Sequence, residues 1–179
     1  MSISYPGGVP LAVKKRPATR AEAAALASDV RLRIIRLTQG RALTNKELAA
    51  ALGKDPATTL HHVRKLVDTG FLVEQPPRRG TRGSREKPYL GTNLSITLSF
   101  DEHEERAAVS EAALGAFLGE IADLGVAAAD LTRVVYQLPA EQTAELLSRL
   151  HAVLADYVDL PYDPAAERVA IFLASYHGG

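Results

Sequence analysis

Apolar positions recur at helical spacing in two short runs of the N-terminal half. Leu48, Ala49, Ala51 and Leu52 form one; Leu60, Val63, Leu66 and Val67 form the other. Punctuating residues set their limits. Thr44-Asn45-Lys46-Glu47 reads as a capping box, with the Thr44 hydroxyl on the helix start and Glu47 reaching back to the free amide. Gly53 ends that helix. The turn Gly53-Lys54-Asp55-Pro56 then starts the next, with Asp55 as N-cap and Pro56 at the first helical position. Gly70 stops it as a left-handed C′ residue. Two helices joined by a tight glycine-containing turn predict a helix-turn-helix. After Gly70 the pattern becomes β-prone: Phe71-Leu72-Val73-Glu74 and Pro88-Tyr89-Leu90 flank a Gly- and Pro-containing loop, which predicts a β-hairpin. A helix-turn-helix followed directly by such a hairpin predicts a winged helix.

Residues 1–17 are rich in Gly and Pro, end in Lys14-Lys15-Arg16-Pro17, and read as a flexible basic arm. Thr19 to Ala27 is Ala-rich and helical. A further helix begins at Ser28 or Asp29, turns Val30, Ile34, Ile35 and Leu37 inward, and closes at Gln39-Gly40. Past the hairpin, Leu94 to Phe100 alternates apolar and small polar residues and predicts a strand. Asp101 caps a helix over Glu102–Leu124 whose first turn carries Glu102, Glu104 and Glu105. Its stripe Ala108, Val109, Ala112, Ala113, Ala116, Phe117 and Ile121 would let another helix approach closely. It reads as a dimerisation face, with burial against its own domain as the alternative. Gly125 to Asp130 is a linker, Leu131–Leu138 a strand, Pro139 to about Tyr157 a helix, Pro161–Pro164 a turn and Arg168–Tyr176 a final buried strand. The expected fold class is α+β. An N-terminal winged helix-turn-helix over 18–92 precedes a small β-α-β-α-β C-terminal domain over 93–179, assigned to dimerisation and open to effector binding.

The formal net charge of the 179-residue chain is zero, which argues against nucleic acid until the chain is divided. Residues 1–92 hold 17 Lys/Arg and 7 Asp/Glu, a net of +10; residues 93–179 hold 4 and 14, a net of −10. Such segregation marks a nucleic-acid-binding half joined to something else, and the acidic half would orient the basic one toward DNA. Without cysteine there is no disulfide and no thiol switch. No apolar run approaches the roughly 18 residues of a membrane helix, and the first residues lack the order of a signal peptide. A cytoplasmic location is expected.

On a wheel of about 100° per residue, the second helix of the pair turns Leu60, Val63, Leu66 and Val67 inward. Thr58, His61, His62 and Lys65 face away, with Arg64 on a flank; such side chains donate to phosphates or read base edges. In isolation the pattern also describes an ordinary amphipathic surface helix. The hairpin loop shifts the reading, because Arg78, Arg79, Arg82, Arg85 and Lys87 stand against Glu86 alone, a net of +4 that suits a phosphate backbone or a minor groove. Thr44 and Asn45 at the first helix start, Lys54 in the turn and Thr59 as an anchor beside Thr58 complete the DNA-binding candidates. Nothing points to catalysis. His103, His151 and His177 lie far apart, and neither a Gly-rich phosphate loop nor a Gly-x-Ser-x-Gly run is present. No catalytic residue, metal ligand or cofactor is assigned.

The stretch from Ser28 through Tyr89 resembles the winged helix-turn-helix of ArsR-type bacterial transcriptional regulators. The match is carried by Asp29, Arg31 and Ile34-Ile35, by Thr44 through Ala49, by Pro56 through Leu66, and by Thr69-Gly70-Phe71-Leu72-Val73. It covers about a third of the chain. The resemblance implies that the helix holding His62 enters the major groove, that the hairpin contacts the flanking backbone, and that the protein is a homodimer, as a family prior a repressor. Metal-sensing members use cysteine thiolates or paired His and carboxylate ligands; this chain has no cysteine, so the resemblance implies DNA binding without metal sensing. The expected function is a sequence-specific double-stranded DNA-binding transcriptional regulator. Its partners would be DNA and a second copy, with an unidentified small-molecule effector left open. The alternatives are a winged-helix protein-assembly module and a nucleoid-type or RNA-binding protein.

Overall fold

A computed structural model of the protein describes residues 15–80, 85–158, 163 and 165–176. The chain enters through a two-residue strand β1 (Arg16–Pro17), then α1 (Arg20–Leu26) and α2 (Asp29–Thr38). Strand β2 (Leu43–Thr44) leads into α3 (Asn45–Leu52) and α4 (Pro56–Asp68). Strands β3 (Leu72–Glu74), β4 (Arg78–Arg79), β5 (Arg85–Glu86) and β6 (Pro88–Gly91) follow. After a 3-10 turn at Leu94–Thr97 come β7 (Leu98–Ser99), α5 (His103–Leu124) and α6 (Ala140–Val158).

Local chemistry accounts for the helix boundaries. The Thr44 hydroxyl accepts from the Glu47 amide at 3.2 Å while Glu47 Oε2 accepts from the Thr44 amide at 2.7 Å, closing the capping box on α3. Thr19 and Glu22 form a second such box on α1. Asp55 Oδ1 accepts from the Ala57 and Thr58 amides at 2.8 and 3.2 Å, and Pro56 opens α4 without an orphan N–H. Gly53, at φ +60°, turns the chain between α3 and α4 in a conformation that would strain any other residue.

β6 is the centre of an antiparallel sheet ordered β2-β6-β3, with Leu43 opposite Tyr89 and Val73 opposite Leu90. The core lies between this sheet and α1 to α4. Leu26, Ile34, Leu48, Val63, Leu66 and Phe71 are its largest buried side chains, each adding about 1.5–3 kcal/mol by transfer from water. β4 and β5 extend the wing beyond the core as a separate pair.

α5 crosses α1 and α2. Gly119 lets the Arg33 guanidinium come within 3.3 Å of where a Cβ would sit, and Gly115 faces Asp29 in the same way. Arg33 pairs with Asp123 and Arg36 with Glu120, so two arginines of α2 hold α5. The small-residue stripe of α5 is therefore used in part within the chain, where Ala116 is buried.

The expected β-α-β-α-β arrangement beyond residue 93 is not what the described residues adopt. Leu94–Thr97 is a 3-10 turn, because Asn93 at φ +60° redirects the chain and Thr97 Oγ1 donates to the Leu94 carbonyl at 2.8 Å. Only Leu98–Ser99 becomes strand, and it pairs in parallel with β1. The basic arm is thus tied down at its end: Arg16 makes a bidentate pair with Glu22 at 2.6 and 2.9 Å. Residues 1–14 lie outside the described residues, as does most of the 161–164 turn. Segments 131–138 and 168–176 carry no regular secondary structure and join no sheet among the described residues. Segment 168–176, expected as a buried strand, leaves Val169 and Ile171 exposed as well, because an apolar pattern alone supplies neither a covering layer nor the neighbouring backbone that a strand must bond. Among the described residues, no helix is long and apolar enough to cross a membrane.

Candidate nucleic-acid interface

α4 packs on α3 and α2 through Thr59, Val63 and Leu66, which are buried. That places the outward stripe on Ala57, Thr58, His61, Arg64 and Asp68, all exposed. The wheel is therefore rotated from the expected one. Thr59 is fully buried, its hydroxyl donating to the Asp55 carbonyl at 2.9 Å, so its polar atom is satisfied within the helix and its methyl packs like a core residue. Thr59 cannot anchor a phosphate from there. Arg64 moves from the flank to the middle of the open face, and Lys65 is half-buried beside it.

His62 leaves that face as well. It is half-buried, and its Nδ1 is buried without a hydrogen-bond partner among the described residues. Burial holds its pKa below the ordinary histidine value, and the nearby cations Arg31, His61 and Lys54 push it the same way against Asp29. The His61 and His62 rings meet edge to face at 5.9 Å. Arg31 is itself engaged, Nε donating to the Ala25 carbonyl at 2.5 Å and Nη2 to that of Ala24 at 2.8 Å, which caps the end of α1.

Two further candidates position elements. Thr44 is buried in its capping box. Asn45 Nδ2 donates to the Pro56 carbonyl at 2.9 Å and so ties the start of α3 to the start of α4. Lys54 is exposed in the turn. Residues 26–75, which hold α2, α3, α4 and the first wing strand, match the family model described as a helix-turn-helix domain.

Residues 26–75 are a helix-turn-helix domain.

With the β2-β6-β3 sheet at its back, the helix-turn-helix is winged. A domain of this kind marks a DNA-binding transcription regulator. Comparison with curated proteins gives no match. Among solved structures, a ZitR variant from Lactococcus lactis aligns over 81% of this chain and 84% of its own, at 17% identity and a TM-score of 0.35. A MepR variant from S. aureus aligns over 78% and 80%, at 16% identity and a TM-score of 0.29. Neither superposition is close enough to assign residues, and the domain assignment rests on 26–75.

The wing of the helix-turn-helix domain divides its basic residues into two kinds. Arg78 donates to both Glu47 carboxylate oxygens at 2.6 Å, and Lys87 to Glu74 at 2.8 Å. Burial opposes ionisation of Glu47, but the Thr44 amide and hydroxyl together with the Arg78 guanidinium outweigh it and keep its carboxyl below the usual range. Glu47 thus joins the cap of α3 to the wing, a link that the capping box hints at only by placing an acid there. Arg79 and Arg85 stand directly opposite each other across the β4–β5 ladder, both exposed, with no ion pair among the described residues. Like charges in that position repel. Arg82 lies outside the described residues. Among the described residues no group of His, Asp or Glu converges as a metal site.

Proposed function

We propose that the protein is a homodimeric, sequence-specific transcription regulator, most simply a repressor, that reads double-stranded DNA with α4 and grips the flanking backbone with its wing. Arg79 facing Arg85 is the observation that carries this reading. An isolated protein gains nothing from two guanidiniums held across a ladder, whereas a phosphate between them converts repulsion into two charge-assisted bonds. Thr58, His61 and Arg64 on the open face of α4 supply base and phosphate donors, with Lys65 and Lys54 at its margins. Arg82 and Lys87 add charge to the wing, and Asn45 holds the helix pair in register. In a twofold dimer the two α4 helices would lie about one duplex turn apart, roughly 34 Å, and read a pseudo-palindrome. The domain division follows: a basic arm at 1–17, a DNA-binding unit at 18–92, and an acidic remainder at 93–179 that serves self-association and is open to an effector.

Against a protein-assembly role stands the composition of the open α4 face, which is polar and basic where an adapter would show an apolar patch. Selection of bound duplexes from a random pool, with affinity followed against salt, tests the reading. An inverted repeat with a steep salt dependence is expected. Absence of any duplex binding would overturn it in favour of assembly.

A further inference from the structure

A cavity of about 660 Å³ lies between the helix-turn-helix domain and the C-terminal segment. Small-molecule sites run to ~300–1,000 Å³, so its size suits a compact organic ligand. Leu37 of α2 and Leu43 of β2 line it on the domain side, and Ala166 lines it from segment 165–176. That segment is held at two points. Arg168 Nη2 donates to the Gln39 carbonyl at 2.6 Å, just past the end of α2. Phe172 stacks on Phe117 of α5, ring centroids 4.7 Å apart and planes 13° from parallel.

Three charged side chains share the lining: Arg41, Glu47 and Arg168. Glu47 is already engaged, accepting from the Thr44 amide and from Arg78 of the wing. Arg168 spends one of its five N–H donors on Gln39. Among the described residues neither Arg41 nor Arg168 forms a salt bridge. The cavity therefore carries two guanidiniums that no carboxylate balances, next to apolar side chains. A guanidinium fork matches a planar carboxylate bidentately, while leucine side chains favour an apolar body over water.

We propose that this cavity is an effector site whose ligand is a small organic monocarboxylate with an apolar body. Its carboxylate meets Arg41 and Arg168, and its body lies on Leu37, Leu43 and Ala166. The effector role rests on the regulator reading above; the binding site itself does not. Glu47 connects the site to DNA. It caps α3 and holds Arg78, so a bound ligand lies against the residue that joins the helix pair to the wing. The ligand also brings a negative charge to the half of the chain that carries +10, which opposes binding to phosphates.

Calorimetric titration of the full-length protein with hydrocinnamate tests the site. Acetate, which lacks the body, and hydrocinnamyl alcohol, which lacks the charge, are the contrasting probes. Hydrocinnamate should saturate with a Kd on the order of 1 mM or tighter, and both contrasting probes should bind at least about tenfold more weakly. Arg41→Gln and Arg168→Gln should each weaken hydrocinnamate about tenfold through loss of a charge-assisted bond. Ala166 is exposed, so Ala166→Trp should fill the cavity and abolish binding while the melting temperature holds. Arg149→Gln, on an exposed position of α6, should leave binding unchanged. No saturable binding of hydrocinnamate would overturn the site. So would equal binding of the alcohol, or full binding by a folded Ala166→Trp variant. Saturating hydrocinnamate should lower affinity for the selected duplex severalfold, and an unchanged affinity would overturn the effector role. Protein that binds hydrocinnamate but no duplex would overturn the regulator reading and leave the binding site standing.

Discussion

Replacing Arg79 by glutamate should move stability and DNA affinity in opposite directions. In the wing ladder Arg79 faces Arg85, and Arg78 faces Glu86. Two unit charges about 5 Å apart in water interact by about 0.8 kcal/mol, repulsive for the native pair and attractive once a carboxylate faces Arg85. Side-chain freedom and salt screening reduce the swing to roughly 0.5–1 kcal/mol in favour of the hairpin. For a domain of this size that is at most about 1–3 °C in Tm, and it should vanish in high salt. Binding to duplex should weaken at least tenfold near physiological salt. The slope of log affinity against log salt should fall by about 1–2 as a phosphate contact is lost and repulsion is added. Thermal melting at low and high salt, and titration of a fixed duplex over a range of salt concentrations, measure the two effects. If affinity and its salt slope both stay as in the wild type, the wing is a solvated loop and Arg79 touches no phosphate. If stability falls, the register or the electrostatic reasoning is wrong. Arg78→Glu is the contrasting variant, since it would set an acid against Glu47 and lower stability.

Arg64→Ala should cost about 1–3 kcal/mol on the selected site, relax sequence preference and leave Tm unchanged, while Thr59→Asp should lower Tm by burying an unsatisfied charge; duplex titration and melting separate the two. Arg16 and the Thr19 cap hold the Glu22 carboxyl at about 2, below its ordinary 4.5. The native form thus releases this proton more readily than the unfolded chain, and the stability it contributes is complete above pH 4.5 and lost as pH falls toward 2. Glu22→Gln should cost about 1–2 kcal/mol at neutral pH, discounted for the exposed side of Arg16, and the gap to wild type should close in acid melts by about pH 2. His62 has its pKa lowered by burial and neighbouring cations, so its contribution is present above about pH 6.5 and is lost as pH falls below that value. His62→Gln should flatten the dependence of Tm on pH just below about 6.5, and an unchanged slope would place the histidine in solvent.

Short-range chemistry carried much of the domain into view. Thr44 with Glu47, Asp55 with Pro56, and Gly53 at positive φ act within four residues of themselves, and the structure begins and ends α3 and α4 where they stand. The same holds for the wing strands around Tyr89 and Leu72, whose apolar faces meet the core. The site was less legible. Thr59 and Lys65 look alike as polar letters, yet one is sealed against Asp55 and the other lies at the margin of the open face, because the packing of α4 on α2 and α3 fixes the wheel to within one residue. Arg33 and Arg36 are ordinary helix surface charge in the sequence, and Arg78 a wing cation for DNA, until α5 and Glu47 are brought to them from 84 to 90 and 31 residues away. Leu131–Leu138 and Arg168–Tyr176 mark the limit. Their sequence determined that they are apolar, but pairing is a property of two backbones, and only the tertiary structure decided that neither joins a sheet among the described residues.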